Sequence, residues 1–279
     1  MRRLVFLHVP KAAGMTLRAV IRHNYPPHAV WYAKRGTTPL VPPEQLAQVQ
    51  AIVGHIPFGA HRALGIEADS ITMLRHPVDR LVSLYYYVRR RGPEHDLARY
   101  AAGSLADFAG SDYFELRNDM TRQLSGLSGE PDRHTLATAK HNLLHELAAF
   151  GTDARFDESL LLFQRALGWR TIHYRRENVT ERRPPVAAVD AAVRRLLERN
   201  NELDLELWEL AERELAARIE AQPAGFHDAL RRFRRRNRAY AALVSAGHRA
   251  LPRPVKRMIR FTVDTWLWPR RERGLQVRS

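Results

Sequence analysis

Cysteine is absent from this chain of 279 residues. Disulfides, thiolate nucleophiles and cysteine-ligated metals are therefore excluded. No run of about 18 apolar residues occurs, so no membrane-spanning helix is expected. The first apolar segment begins at Leu4, which leaves no room for a signal peptide, and a cytoplasmic protein is expected. Repeats, low-complexity linkers and an acidic cluster of metal-binding type are also missing. So are a Gly-x-x-x-x-Gly-Lys-Ser/Thr loop and a clear acidic partner for it after an apolar strand, which argues against a standard nucleoside triphosphatase. What remains is ordinary globular material, 45% hydrophobic, long enough for one large α/β domain with additions or for two small domains. The abundance of Arg and Ala points to a high-GC bacterial gene.

Positive charge is unevenly spread. The net charge is +15, and residues 222–279 hold fifteen Lys/Arg against three Asp/Glu. The preceding 221 residues are nearly balanced, thirty against twenty-seven.

The stretch Leu4–Leu17, LVFLHVPKAAGMTL, carries the first chemical signal. Leu4 to Val9 reads as a buried parallel strand that Pro10 stops. Leu17, Val20 and Ile21 recur at helical spacing, which puts the helix start near Gly14. Strand, tight turn and helix together form an anion site, because the first N–H groups of a helix lack internal partners and the dipole there favours negative charge. Lys11 adds a positive charge and Thr16 a hydroxyl. An ordinary turn with an exposed lysine is the bland alternative.

A second signal lies in ITMLRHPVDRLVSLYYY, residues 71–87. A strand ends at Arg75, Pro77 opens a helix, and Ser83 follows eight residues after Arg75. The carboxyl edge of a parallel sheet is where such folds bind ligands, and a guanidinium suits a phosphate. The third signal is GHIPFG at 54–59, which sets His55 just beyond a short strand. A neutral histidine there is a candidate general base. His61 is the runner-up, His76 a further rival, and His8 reads as structural.

These motifs resemble PAPS-dependent carbohydrate sulfotransferases, in particular the group of heparan sulfate 2-O- and 6-O-sulfotransferases and its bacterial relatives (sulfotransferase family 2 type). NDMTRQLSG at 118–126, FDESLLLFQRALGW at 156–169 and YRRENVT at 174–180 are similar to further segments of that group, so the resemblance covers about residues 4–210. It implies that PAPS is the cosubstrate and PAP the product, with no metal. Lys11, Ala12, Ala13, Gly14, Met15 and Thr16 would hold the 5′-phosphosulfate, and Arg75 and Ser83 the 3′-phosphate. His55 would be the base, and Lys11 would also act catalytically on the leaving oxygen. Asn118, Thr121 and Arg122 would line the cleft, while Arg176, Asn178 and Thr180 would close over the nucleotide. Ala12, Ala13 and Met15 depart from the usual pattern and remove hydroxyls, but the backbone amides remain. The acceptor implied is a carbohydrate or glycolipid.

Alternating strands and helices predict a mainly parallel sheet flanked by helices, and the resemblance makes that sheet P-loop NTPase-like. Strands are expected at Ala51–Gly54, Ser70–Leu74, Phe150–Thr152 and Arg170–Tyr174, with a long loop over 24–43 and a short helix over Glu44–Gln50. Helices are expected over Pro77–Arg91, in pieces over 96–148, after a cap at Asp157, and over Val186–Gln222 with a break near Asn200 and Asn201. Residues 1–222 form the expected catalytic domain. Residues 223–279 form a basic amphipathic helical extension, with Phe226, Leu230, Phe233, Tyr240 and Val244 on one face and a second apolar set over 255–268. That extension suits an anionic membrane surface at the inner face, a polyanionic glycan, or packing on the body; nucleic acid is not expected. The rival functions are a nucleotide kinase or NTPase and a non-catalytic polyanion-binding protein.

Overall fold

Leu4, Val5, Phe6 and Leu7 are wholly buried, and the strand they form is the middle of the sheet. The computed structural model of the protein describes residues 2–33, 40–176 and 185–250. Five strands, β1 (Arg3–Leu7), β2 (Val30–Ala33), β3 (Ala51–Gly54), β4 (Ala68–Leu74) and β5 (Ala149–Thr152), pair in the order β2-β3-β1-β4-β5. Every pairing is parallel, with Leu4 opposite Ala51 on one side and Asp69 on the other. A central strand of this kind has no face toward water, which is why β1 is apolar without alternation. After β3 the chain crosses β1 to reach β4, so the topological switch lies beside β1. A crevice opens there at the carboxyl ends of the strands.

The helices are α1 (Gly14–Asn24), α2 (Pro77–Arg91), α3 (Leu105–Gly110), α4 (Asp119–Ser125), α5 (Arg133–His141), α6 (Phe156–Leu167), α7 (Ala191–Arg199), α8 (Glu202–Glu220) and α9 (Gly225–Ala250). Their starts follow local chemistry. Pro77 occupies the first turn of α2, Ser104 and Asp107 form a capping box at α3, and Asp132 and Asp190 cap α5 and α7. One side of α2 buries Val78, Leu81, Tyr85 and Val88 against α3 and α7, in a core separate from that of the sheet. Its other side, with Ser83, Tyr87 and Arg90 at helical spacing, is left to the crevice. Among the described residues no helix is long and apolar enough to cross a membrane.

The α/β class and the parallel sheet are as expected, with local differences, among them that the helix expected from Val186 starts only at Ala191, after a 3₁₀ turn at Val186–Ala188. The expected loop over 24–43 contains β2, because VWYA (30–33) finds β3 as a parallel partner despite the prolines around it. Glu44–Gln50 is no helix; a single 3₁₀ turn at Pro43–Gln45 is followed by turns. Arg170–Tyr174 forms no strand. Its backbone is bonded by side chains instead: Asn24 Oδ1 accepts from Arg170 N (2.9 Å), Asn24 Nδ2 donates to Thr171 O (2.7 Å), and Asn237 Oδ1 accepts from Tyr174 N (2.8 Å). Asp157 does not cap α6, whose preceding residue is Arg155. It accepts instead from the Tyr174 hydroxyl (2.7 Å) and pairs with Arg234 (3.0 Å).

Phe226, Leu230 and Phe233 of α9 belong to the sheet's core, and burial of each such side chain stabilises by roughly 1.5–3 kcal/mol. Arg231, Arg232, Arg235, Arg236 and Arg238 lie on the exposed side of the helix. Asn178, Thr180 and the apolar set over 255–268 lie outside the described residues.

Candidate active site

The loop between β1 and α1 is strained. Lys11 (φ 64°) and Ala13 (φ 57°) both adopt the left-handed backbone although neither is glycine. Each such residue costs about 1–3 kcal/mol and is a mark of functional loops. Left-handed residues in such a loop can bring successive N–H groups together, as in an anion nest. Ala12 N donates back to Val9 O (3.4 Å), and Thr16 N and Leu17 N donate to Ala13 O (3.0 and 3.2 Å). Among the described residues the N–H groups of Ala13, Gly14 and Met15 make no hydrogen bond. The first turn of α1 holds no acid and no side-chain cap, so its positive end faces the crevice uncompensated. This narrows the expected cradle. Ala12 does not belong to it, since its side chain is fully buried and its N–H is taken.

Gly14 is needed for a different reason. A Cβ there would sit 2.0 Å from Cδ2 and Nε2 of His8. The His8 ring packs on the loop, is stacked on Phe6 (centroids 5.2 Å apart) and on His55 (4.5 Å), and lines the crevice. Burial, then the neighbouring His55, Arg18 and Lys11, push its pKa down from 6.5 to about 3, so it is a neutral ring at ordinary pH.

His55 follows the last residue of β3 and is half-buried at the sheet's carboxyl edge. Its Nδ1 lies 2.6 Å from the carbonyl oxygen of His8. A carbonyl only accepts, so Nδ1 carries the proton and Nε2 is the ring's basic nitrogen. The two rivals sit elsewhere. His61 is buried away from the crevice with its pKa lowered by burial, and His76 packs edge-on against Trp208.

Arg75 leaves the end of β4 and Ser83 lies two turns into α2; both line the crevice. Arg75 Nη1 donates to Lys11 O (3.2 Å), which ties it to the strained loop, and Nη2 reaches Asp79 at 3.5 Å. Its Nε is 3.0 Å from Asp153 Oδ2, close enough for an ion pair, yet no hydrogen bond is directed along that contact. Asp153, the residue after β5, also lines the crevice. Burial pushes its pKa up from 3.8 to about 6 against the pull of Arg75.

The crevice measures about 1050 Å³, just above the roughly 300–1,000 Å³ typical of ligand sites. It brings together Lys11, Ala13, Gly14, Met15, Thr16, His55, Arg75, Ser83 and Arg176. It does not include Asn118, Thr121 or Arg122. Asn118 and the backbone at Thr121 join α4 to α8: Asn118 Oδ1 accepts from Leu203 N and Asp204 N, and Asp204 accepts from Met120 N and Thr121 N; Arg122 instead donates to Phe114 O, in the turn before α4. At Asn118 and Thr121 the pattern that suggested a cleft therefore serves packing.

Sequence reading missed Asp153 and the outer wall formed by Tyr87, Arg90 and Arg91. The Tyr87 ring carries Lys11 Nζ at 4.0 Å and the Arg90 guanidinium at 5.7 Å from its centroid. Both omissions had a signal. Asp153 directly follows a strand at the binding edge, and Tyr87 and Arg90 continue the helical face that begins at Ser83.

No family model matches the chain, and no curated protein matches it. Among solved structures, that of mouse sulfotransferase SULT7A1 complexed with PAP is similar in part: the identity is 15%, the TM-score 0.39, and the match covers 61% of this chain and 59% of that one. The chain thus spans less than two thirds of that protein's length.

Proposed function

We propose that the chain is a sulfotransferase that moves the sulfuryl group of PAPS to a hydroxyl of a carbohydrate or glycolipid acceptor. The observation that carries this reading is a convergence on one crevice: an anion-receptive strained loop after β1, a histidine of defined tautomer after β3, and Arg75 with Ser83 from the β4–α2 turn. The nucleotide, when bound, supplies an activated sulfuryl group and a phosphate leaving group.

The chain's residues divide the work. The N–H groups of Ala13, Gly14 and Met15, with Lys11 and Thr16, receive the phosphosulfate end. Arg75 and Ser83 receive the 3′-phosphate, and the exposed Arg176 stands at the rim. His55 Nε2 accepts the proton of the acceptor hydroxyl as that oxygen attacks sulfur. Lys11 offsets the negative charge that grows on the departing phosphate oxygen.

The reading is tested by thermal unfolding with PAP and with ATP. A ligand at 100 times its Kd adds about 2.7 kcal/mol of stability. PAP should raise the unfolding temperature and ATP should not. Stabilisation by ATP alone would support a kinase or NTPase instead.

A further inference from the structure

We propose that Asp153 is a displaceable counter-ion: it holds Arg75 before a ligand binds, the incoming phosphate takes its place on the guanidinium, and a proton enters the crevice with the phosphate. The inference rests on reading Arg75 as a phosphate ligand. Asp153 N donates to Leu74 O (3.0 Å), so the ends of β4 and β5 deliver Arg75 and Asp153 side by side. Both side chains are partly accessible, 18% and 24%, and both line the crevice. The pair is held by charge at 3.0 Å without a directed hydrogen bond from Nε. Such a contact is easier to exchange for a bidentate phosphate than a fork-to-fork pair would be.

The crowding of carboxylates around Arg75 favours the proton. Asp153 faces Arg75 at the end of β4, Asp79 in α2, Glu212 in α8 and Arg176. Arg75 also reaches Asp79 at 3.5 Å, and Glu212 is itself paired with Arg155 at 3.3 Å. A dianion added here would share the Arg75 guanidinium with Asp153 and Asp79, with Arg176 the other guanidinium that faces Asp153. The carboxyl that yields is Asp153, already pushed up to about 6 by burial. A phosphate next to it raises that value further. Binding therefore takes up protons above about pH 6, and PAP affinity falls as pH rises from about 6 to 8.

The test is calorimetric titration of the full chain with PAP at about pH 7 in two buffers of different ionisation enthalpy, which counts protons. Wild type should take up a substantial fraction of a proton. Asp153→Asn should lose that uptake and bind PAP at least about threefold tighter at pH 7.5, because the competing charge is gone. Asp153→Glu should keep the uptake, and so should Asp79→Asn, which guards against a general packing effect. Ionisation of the ligand's own phosphate is common to every variant and cancels in the comparison. Equal proton counts in wild type and Asp153→Asn, or weaker binding by folded Asp153→Asn, would overturn the proposal. Absence of PAP binding by wild type would instead remove the phosphate reading of Arg75 itself.

Discussion

The carbonyl oxygen of His8 accepts the Nδ1 proton of His55 across 2.6 Å, and the two imidazoles stack with centroids 4.5 Å apart. The residue that leads into the anion loop thus also sets the tautomer of the candidate base. Folding the loop and arming the base are one structural event.

The His8 ring has a pH signature. Its pKa is 6.5 when exposed and about 3 in the fold. Between those values the unfolded chain binds a proton that the native chain does not, so stability falls as pH drops from about 6.5 towards 3. His8→Gln removes the titrating group. Thermal unfolding followed across this window should show a shallower acid loss in the variant. Parallel curves for variant and wild type would mean that His8 is not held neutral.

Gly14→Ala should be harmful although α1 would gain a better helix former. The new methyl would meet the His8 ring at 2.0 Å, and relieving such crowding costs about 1–3 kcal/mol. Urea unfolding measures that loss. PAP binding should weaken with it, since the ring can retreat only by disturbing the loop. Wild-type stability in the variant would show that the ring has another place to go.

The buried Arg80–Asp204 pair joins α2 to α8. Both side chains are wholly buried, 3.8 Å apart, and Asp204 also receives the N–H groups of Met120 and Thr121. Asp204→Ala strands the arginine charge and should cost about 3–5 kcal/mol. Arg80→Met should cost much less, and a double variant Arg80→Met/Asp204→Asn should be more stable than Asp204→Ala alone. If Asp204→Ala unfolds at the wild-type temperature, the pair does not hold these helices.

Cutting the chain after Gln222 should destroy the fold, because Phe226, Leu230 and Phe233 would leave the sheet's core. Phe226→Ala alone should cost about 3–5 kcal/mol. Soluble, cooperative unfolding of the cut chain would refute the packed position of α9.

The parts that were legible in the sequence are those whose causes are local. Apolar β1, the stop at Pro10 and the small residues before Leu17 lie within one stretch, and the helix begins at Gly14 as expected. The Arg75–Pro77–Ser83 spacing gave the β4–α2 turn in the same way. What was hidden depends on distant partners. β2 exists because β3 is beside it, and the prolines near it outweighed its VWYA in any local reading. The reverse holds for Arg170–Tyr174, where Asn24 and Asn237 take the backbone bonds that a strand neighbour would have taken. Asn118 looked like a cleft residue until Leu203 and Asp204, more than 80 residues on, claimed its side chain.

The central claim is sulfuryl transfer with His55 as base, and radiosulfur transfer from labelled PAPS to a glycan and glycolipid acceptor pool tests it most directly. Wild type should transfer label. Folded His55→Ala should bind PAP as tightly as wild type yet turn over about 10²–10⁴-fold more slowly. Lys11→Ala should lose both turnover and affinity, because its charge meets the phosphosulfate before and during transfer. Near-normal turnover by a folded His55→Ala, or no transfer by a wild type that binds PAP, would contradict the account.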